Sequence, residues 1–276
     1  MVNEKIIEHN LNNWTQSPFD KETILEVLNL KDTNNDSFND SFYTDLSFGT
    51  GGMRGIVGVG PNRVNKYTFG RNTQGISNYI NKYSNNKPES VVIAYDCRND
   101  SEYLAKQVAD TFSANNIKVY LFNSIRPTPE LSYAVVKLNC ICGIVLTASH
   151  NPPEYNGYKV YWKDGGQIVP PIDTNLINEI NKTDYSEINF KRNESLVEII
   201  GEEIDNQFIK DSILNGKVGD SKREDYKIVF TPLHGTSYKI LPKVLKGAGY
   251  KDLHVVKEQA IPDGNFPTVK SPNPEE

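Results

Sequence analysis

The chain has 276 residues, a formal net charge of −5, 37% hydrophobic and 24% charged residues. That length covers one large domain or two ordinary ones and can bury a core without disulfides or metal staples. The acidic balance argues against a non-specific nucleic-acid binder or an anionic-membrane binder, and 10% aromatics with recurrent apolar runs argue against disorder. Apolar spacing predicts helix through most of the first forty residues: Ile6, Ile7 and Leu11, then a Ser17-Pro18 break, then Ile24, Leu25, Val27 and Leu28. Residues 31–40 read as a polar linker. Residues 46–55, with Gly49, Gly51, Gly52 and Gly55, read as a loop. From there the pattern is regular. A helix is expected over 67–83, a strand over 90–95, a helix over 102–115 capped by Ser101, and a strand over 117–122. A helix over 129–138, a strand over 140–146 and a strand over 158–162 follow, and Pro170-Pro171 opens a helix ending near Lys182.

Strands alternating with helices predict an α/β fold, a three-layer arrangement with helices on both faces of the sheet. Residues 183–200 are polar and irregular and read as a boundary. Beyond it, a helix over 202–214, a strand over 226–230, a helix over 236–247 and a strand over 253–257 predict a second α/β unit that stops after one βαβ. The expected domains are therefore 1–200, complete, and 201–276, incomplete. Cys97, Cys140 and Cys142 are an odd set with no zinc-site spacing. They read as reduced core thiols of a cytoplasmic protein. Neither a signal peptide nor a run near the ~18 apolar residues of a membrane span is expected.

Three features point to chemistry. Thr147-Ala148-Ser149-His150-Asn151-Pro152-Pro153 follows an apolar strand directly, and ligands bind outside the carboxyl ends of strands in open α/β sheets. The Asn-Pro-Pro turn stiffens the loop, so Ser149 is a rigidly displayed hydroxyl or, on the plainer reading, a turn serine. It lacks the Gly-x-Ser-x-Gly elbow of a hydrolase, and His150, adjacent in sequence, is badly placed to be a base on the same oxygen. No labelling by acylating inhibitors is expected. Second, Gly49-Thr50-Gly51-Gly52-Met53-Arg54-Gly55 offers backbone N–H groups and a guanidinium fork to an anion, but is neither a P-loop nor a dinucleotide fingerprint. Third, Lys159 on the next strand can face the same cleft, to neutralise phosphate or shuttle a proton, unless it is an ordinary solvated lysine.

Thr147-Ala148-Ser149-His150-Asn151-Pro152 resembles the active-site serine loop of the α-D-phosphohexomutases, the phosphoglucomutase/phosphomannomutase superfamily. Phe48-Gly49-Thr50-Gly51-Gly52-Met53-Arg54-Gly55 resembles that superfamily's N-terminal loop, and Tyr95-Asp96-Cys97-Arg98 and Pro232-Leu233-His234-Gly235-Thr236 match further segments. The resemblance implies a four-domain mutase acting on a sugar phosphate, with Ser149 carrying the phosphate and a sugar bisphosphate as intermediate and activator. It implies catalytic roles for Ser149, Lys159 as proton shuttle, His150 and Arg54. It implies phosphate or substrate contacts from Thr50, Gly51, Gly52, Arg54, Thr147 and Asn151. Magnesium is implied as cofactor, but its site is incomplete here: the Ser149 phosphate is the one ligand in the chain and cannot fill an octahedral set alone, because the Asp-x-Asp-x-Asp-Arg metal loop is missing, as are the Gly-Glu-x-Ser-x-Gly sugar loop and the Arg-x-Ser-Gly-Thr phosphate loop. Gly201-Glu202-Glu203 reads as a helix start and nothing more. The leading expectation is an N-terminal piece of a hexose 1-phosphate/6-phosphate mutase, without turnover by itself. The alternatives are a phosphopentomutase or sugar-bisphosphate synthase of the same family, or a non-catalytic sugar-phosphate-binding module. The Gly-Gly form of the Arg loop points toward the branch with phosphoglucomutases and phosphopentomutases. The sequence sets no oligomeric state.

Overall fold

A computed structural model describes residues 2–216, 222–273 and 275. Three helices come first: α1 (Val2–Trp14), α2 (Lys21–Thr33) and α3 (Asn35–Phe42). Helix α3 lies where a polar linker was expected. Its sequence, NDSFNDSF, hides it: the side chain of Asn34 caps the Ser37 N–H, and only Phe38 and Phe42, one turn apart, are apolar. Both rings are buried with Trp14, Phe19 and Tyr67, so a small aromatic core supplies what propensity does not.

The main unit continues with β1 (Met53–Ile56), α4 (Lys66–Tyr83), β2 (Ser90–Tyr95), α5 (Ser101–Ala114), β3 (Lys118–Phe122), α6 (Thr128–Lys137), β4 (Cys142–Leu146), β5 (Tyr155–Trp162), α7 (Ile172–Lys182) and β6 (Val197–Ile200). The sheet has six strands in the order β1-β5-β4-β2-β3-β6. Strands β2, β3, β4 and β6 run parallel, while β5 is antiparallel to both β4 and β1. Alternate residues of one strand face opposite layers. Val91, Ile93 and Ile144 pack with Ile76, Phe112 and Leu176 from α4, α5 and α7. Val92, Ala94 and Val145 pack on the other side with Leu131 and Val135 of α6 and with Ile204 from the following helix. Burial on both faces is why these strands read as unbroken apolar runs. Phe112 is fully buried, and its truncation to alanine costs about 3–5 kcal/mol.

Several expectations change. The glycine loop ends earlier than expected, because its last residues form β1, paired with β5. Ser101 is the first helical residue of α5 rather than its cap; its hydroxyl donates to Asp96 Oδ1 at 2.7 Å. The irregular stretch 183–200 ends in a sixth strand, half-exposed at the sheet edge, which is why Val-Glu-Ile-Ile carried a weak signal. Beyond it lie α8 (Glu202–Asn215), β7 (Lys227–Phe230), α9 (Leu241–Gly247) and β8 (Asp252–Val255), with β7 and β8 forming a separate two-stranded parallel sheet. The helix expected over 236–247 is split: a 3₁₀ turn covers Thr236–Tyr238, and α9 starts afresh with Pro242 in its first turn. Proline has no N–H to give and is tolerated only there. Helix α8 packs on α6 as well as α9, so it bridges the two sheets. Among the described residues no helix is long and apolar enough to cross a membrane.

Candidate active site

The serine loop leaves the carboxyl end of β4. Thr147 Oγ1 accepts the Ser149 N–H at 2.9 Å, and the Asn151 N–H donates to the Ala148 carbonyl at 3.1 Å. Ser149 itself is left-handed, with φ of +59°, a conformation that L-residues with a Cβ avoid. Its side chain is exposed, and its Oγ lies 3.3 Å from His150 Nδ1. Adjacency in sequence thus brings the ring beside the hydroxyl, with the donor and acceptor roles set by the His150 tautomer.

The glycine loop forms the opposite wall. Gly49 and Gly52 exchange both backbone hydrogen bonds, at 2.9 and 2.8 Å. Gly52 has φ of +97°, and a Cβ there would lie 2.0 Å from the Tyr158 carbonyl oxygen, so only glycine fits. Thr50 is turned onto the fold: its hydroxyl donates to Asp173 Oδ2 at 2.7 Å, and that bond holds the Asp173 carboxyl below its usual range. Arg54, on β1, is exposed and donates from Nη1 to Asn151 Oδ1 at 2.6 Å, joining the two walls. Lys159 stands on β5. Burial, and then the Arg54 charge, push its pKa below the ordinary value, with Asp96 opposing. Gly51, Gly52, Arg54, Thr147 and Lys159 line one hollow of about 200 Å³. Between the walls lies Gly157, opposite Arg54 in the β1–β5 pairing; a Cβ there would sit 2.7 Å from both the Met53 and Thr147 carbonyls.

Ser149 and His150 line a second hollow, of about 360 Å³, which also includes Thr147 and, from the second unit, Leu233, Thr236 and Phe266. Thus Thr147 borders both hollows. The structure gathers Arg54, Lys159 and the glycines on one side of it, and Ser149 and His150 on the other. Leu233 and His234 both have positive φ, +47° and +60°. The His234 ring is buried, with Nδ1 2.9 Å from the Ile261 carbonyl and Nε2 2.9 Å from Thr268 Oγ1. It supports the second unit's loop and does not face the hollow.

Sequence reasoning quoted Arg98 but assigned it nothing. In the structure it is 3% exposed and donates to four carbonyls of the serine loop. No spacing rule reveals this, because main-chain oxygens some fifty residues away leave no mark on residue type. For magnesium, the described residues do not make a site: none of them form a group of three or more His, Cys, Asp or Glu able to hold a metal ion. Asp96, beside Ser149 in the same hollow, has Oδ1 occupied by the Ser101 hydroxyl and the Arg98 N–H.

Residues 45–187 match the family description "Phosphoglucomutase/phosphomannomutase, alpha/beta/alpha domain I", and residues 206–276 match domain II of the same family. A phosphoglucomutase of Staphylococcus haemolyticus (strain JCSC1435) is 40% identical over 239 residues, covering 85% of this chain and 43% of that protein. One from Staphylococcus aureus (strain bovine RF122 / ET3-1) is 37% identical over 241 residues, covering 86% and 43%. The chain thus spans less than half the length of these curated relatives. A crystal structure of a phosphoglucomutase/phosphomannomutase family protein from Burkholderia thailandensis superposes with a TM-score of 0.64 at 21% identity, covering 83% of this chain and 47% of that one. At that identity the likeness speaks for the fold alone.

Proposed function

The chain belongs to the phosphoglucomutase/phosphomannomutase family, and from that membership we propose that it carries the phosphoserine half of a phosphohexomutase. In this reading Ser149 Oγ attacks a phosphorus of a hexose bisphosphate. The new Oγ–P bond forms as the sugar's O–P bond breaks, the serine proton leaves, and the sugar oxygen regains a proton. In the other direction the phosphoserine gives its phosphate to the free hydroxyl of a hexose monophosphate; the bisphosphate then reorients and returns its other phosphate to Ser149, so hexose 1-phosphate and 6-phosphate interconvert. Such transfers are mostly positioning and charge neutralisation.

The observation that carries the reading is the exposed, left-handed Ser149 at the end of β4, with the Arg54 fork and the amine of Lys159 across Thr147. The backbone of Gly51 and Gly52 and the Arg54 guanidinium suit phosphate oxygens. A lysine with lowered pKa gives up and regains a proton more readily, which suits Lys159 to shuttle the proton of the accepting hydroxyl. His150 Nδ1 orients the Ser149 hydroxyl. Asn151 fixes Arg54, and Thr50 serves through the loop it anchors on Asp173. Magnesium held through a phosphate on Ser149 would take its remaining oxygen ligands from outside the described residues. We further propose residues 1–200 as the phosphate-carrying domain, 201–276 as part of the second, sugar phosphate as the partner and the cytoplasm as the compartment. The end of β6 at Ile200, and the separate sheet that follows, support that division.

The test is phosphate uptake. Incubated with glucose 1,6-bisphosphate and magnesium, the chain should gain one phosphate by intact mass, mapped to Ser149 by peptide sequencing. Ser149→Ala should gain none while unfolding within about 1 kcal/mol of wild type. Phosphate on another residue, or none on the wild-type chain, would sink the reading.

A further inference from the structure

The serine loop turns its carbonyls inward, and one side chain answers them. Arg98 Nη1 donates to the Pro152 and Tyr155 carbonyls at 2.7 Å each. Its Nη2 donates to the Ser149 carbonyl at 3.1 Å and the Asn151 carbonyl at 2.7 Å. Its Nε lies 3.4 Å from Asp96 Oδ2. Four carbonyl oxygens gathered in one place repel one another and would each require water if the guanidinium were absent. Only a planar fork with five N–H groups reaches all four; a lysine has three rotating donors and no plane. The same loop holds Ser149 in the left-handed region, a conformation that persists only where the surroundings over-determine it.

The outer side of the guanidinium is covered by the second unit. Phe266 lies 5.5 Å from it, ring to cation, and is itself buried with φ of +49°. Gly264 sits so close that a Cβ would come within 2.8 Å of the Cys97 carbonyl and the Asn99 N–H nitrogen, and Asn99 Nδ2 donates to Asn265 Oδ1 at 3.1 Å. The Asp263 N–H donates to the His234 carbonyl at 3.2 Å, which joins this segment to the buried His234 loop.

We propose that Arg98 is the positioning residue of the serine loop, holding Ser149 in its outward, left-handed turn through four main-chain carbonyls, and that Phe266 of the second unit seals Arg98 from water. Docking of the second unit thereby sharpens the placement of Ser149 without touching it. The catalytic side of this rests on the reading of Ser149 as phosphate carrier; the structural side does not.

Two measurements on the chain separate them. In Arg98→Lys, amide exchange in peptides covering 147–156 should quicken about tenfold or more, while peptides from β2 and β4 keep wild-type protection. Phosphate uptake from glucose 1,6-bisphosphate should slow about a hundredfold, with the half-saturating concentration little changed, because orientation and not binding is lost. Phe266→Leu should quicken exchange in the same peptides by a smaller factor. Wild-type loop protection in Arg98→Lys would overturn the proposal, as would faster exchange shared equally by β2 and β4. Should Arg98→Lys not fold, unchanged loop exchange in Phe266→Leu overturns it instead. A wild-type chain that takes up no phosphate defeats the mutase reading, while the exchange data still decide on Arg98.

Discussion

Two arginines, Arg98 and Arg126, are buried alike, each 3% exposed. Each faces a phenylalanine ring, Phe266 at 5.5 Å and Phe122 at 5.2 Å, and each joins the main sheet to later chain. Both donate to main-chain carbonyls, Arg126 to those of Ser124 and Ile125 at 3.1 and 2.9 Å, but they differ in how closely a carboxylate answers them. Arg126 forks onto the carboxylate of Asp205 in α8, at 2.7 and 2.9 Å, with Glu130 Oε1 3.7 Å away. Its charge is cancelled where it stands, and it staples α8 to α6. Arg98 is met chiefly by neutral carbonyls, with Asp96 at a longer 3.4 Å. Its charge is solvated but only partly cancelled. The same residue type, equally buried, fastens a helix through its carboxylate in one place and gathers a loop's carbonyls in the other.

The largest effect should come from breaking the balanced pair. Asp205→Asn removes the carboxylate onto which the buried Arg126 forks and should cost about 3–5 kcal/mol in urea unfolding. Asp96→Asn, which leaves Arg98 its four carbonyls, should cost only about 1–2 kcal/mol. Equal losses would erase the distinction drawn between the two sites.

Next comes a pH effect confined to the Arg126 site. Glu130 is fully buried, and burial, with the Asp205 carboxylate beside it, raises its pKa to about 8. Burial opposes the Asp205 charge as well, but the Arg126 fork outweighs it and holds that carboxyl below its usual range. A carboxyl whose folded pKa is raised binds more protons folded than unfolded. Its stabilisation is thus complete below the ordinary 4.5 and is lost as pH rises through about 8. Denaturant midpoints taken across that window should fall with rising pH in the wild type and stay flat in Glu130→Gln. Parallel curves would place the titration elsewhere. The smallest effect is Phe122→Leu, which keeps an apolar cover over Arg126 but removes the ring's negative face and should cost about 1 kcal/mol.

Much of this was legible in the sequence because the physics was local. SVVIAY and CGIVL declare themselves as strands by being apolar on both faces, and the Ser149 and Arg54 loops stand out by their proline and glycine content. What escaped notice was carried by distant partners or by the backbone. Helix α3 depends on aromatic rings from three other segments, and β6 on an edge pairing with β3. The left-handed φ of Ser149, beside which its hydroxyl meets the His150 ring, is announced by no side-chain type. Arg98 and Arg126 look alike in sequence, and only the fold gives Arg126 a carboxylate to fork onto and Arg98 four carbonyls instead.

One more consequence follows from Gly157. Its missing side chain leaves room for Met53 and Thr147 to approach from opposite sides, each carbonyl 2.7 Å from where a Cβ would be. One of these residues precedes Arg54 and the other opens the serine loop. The spacing between the Arg54 strand and the Ser149 loop is thus gauged by a residue that contributes no side-chain atom to either. A methyl group there would act as a wedge, widening the mouth of the cleft while every reactive group kept its identity. Loss of function by that route would register as a fault of calibration, with each part of the instrument still present.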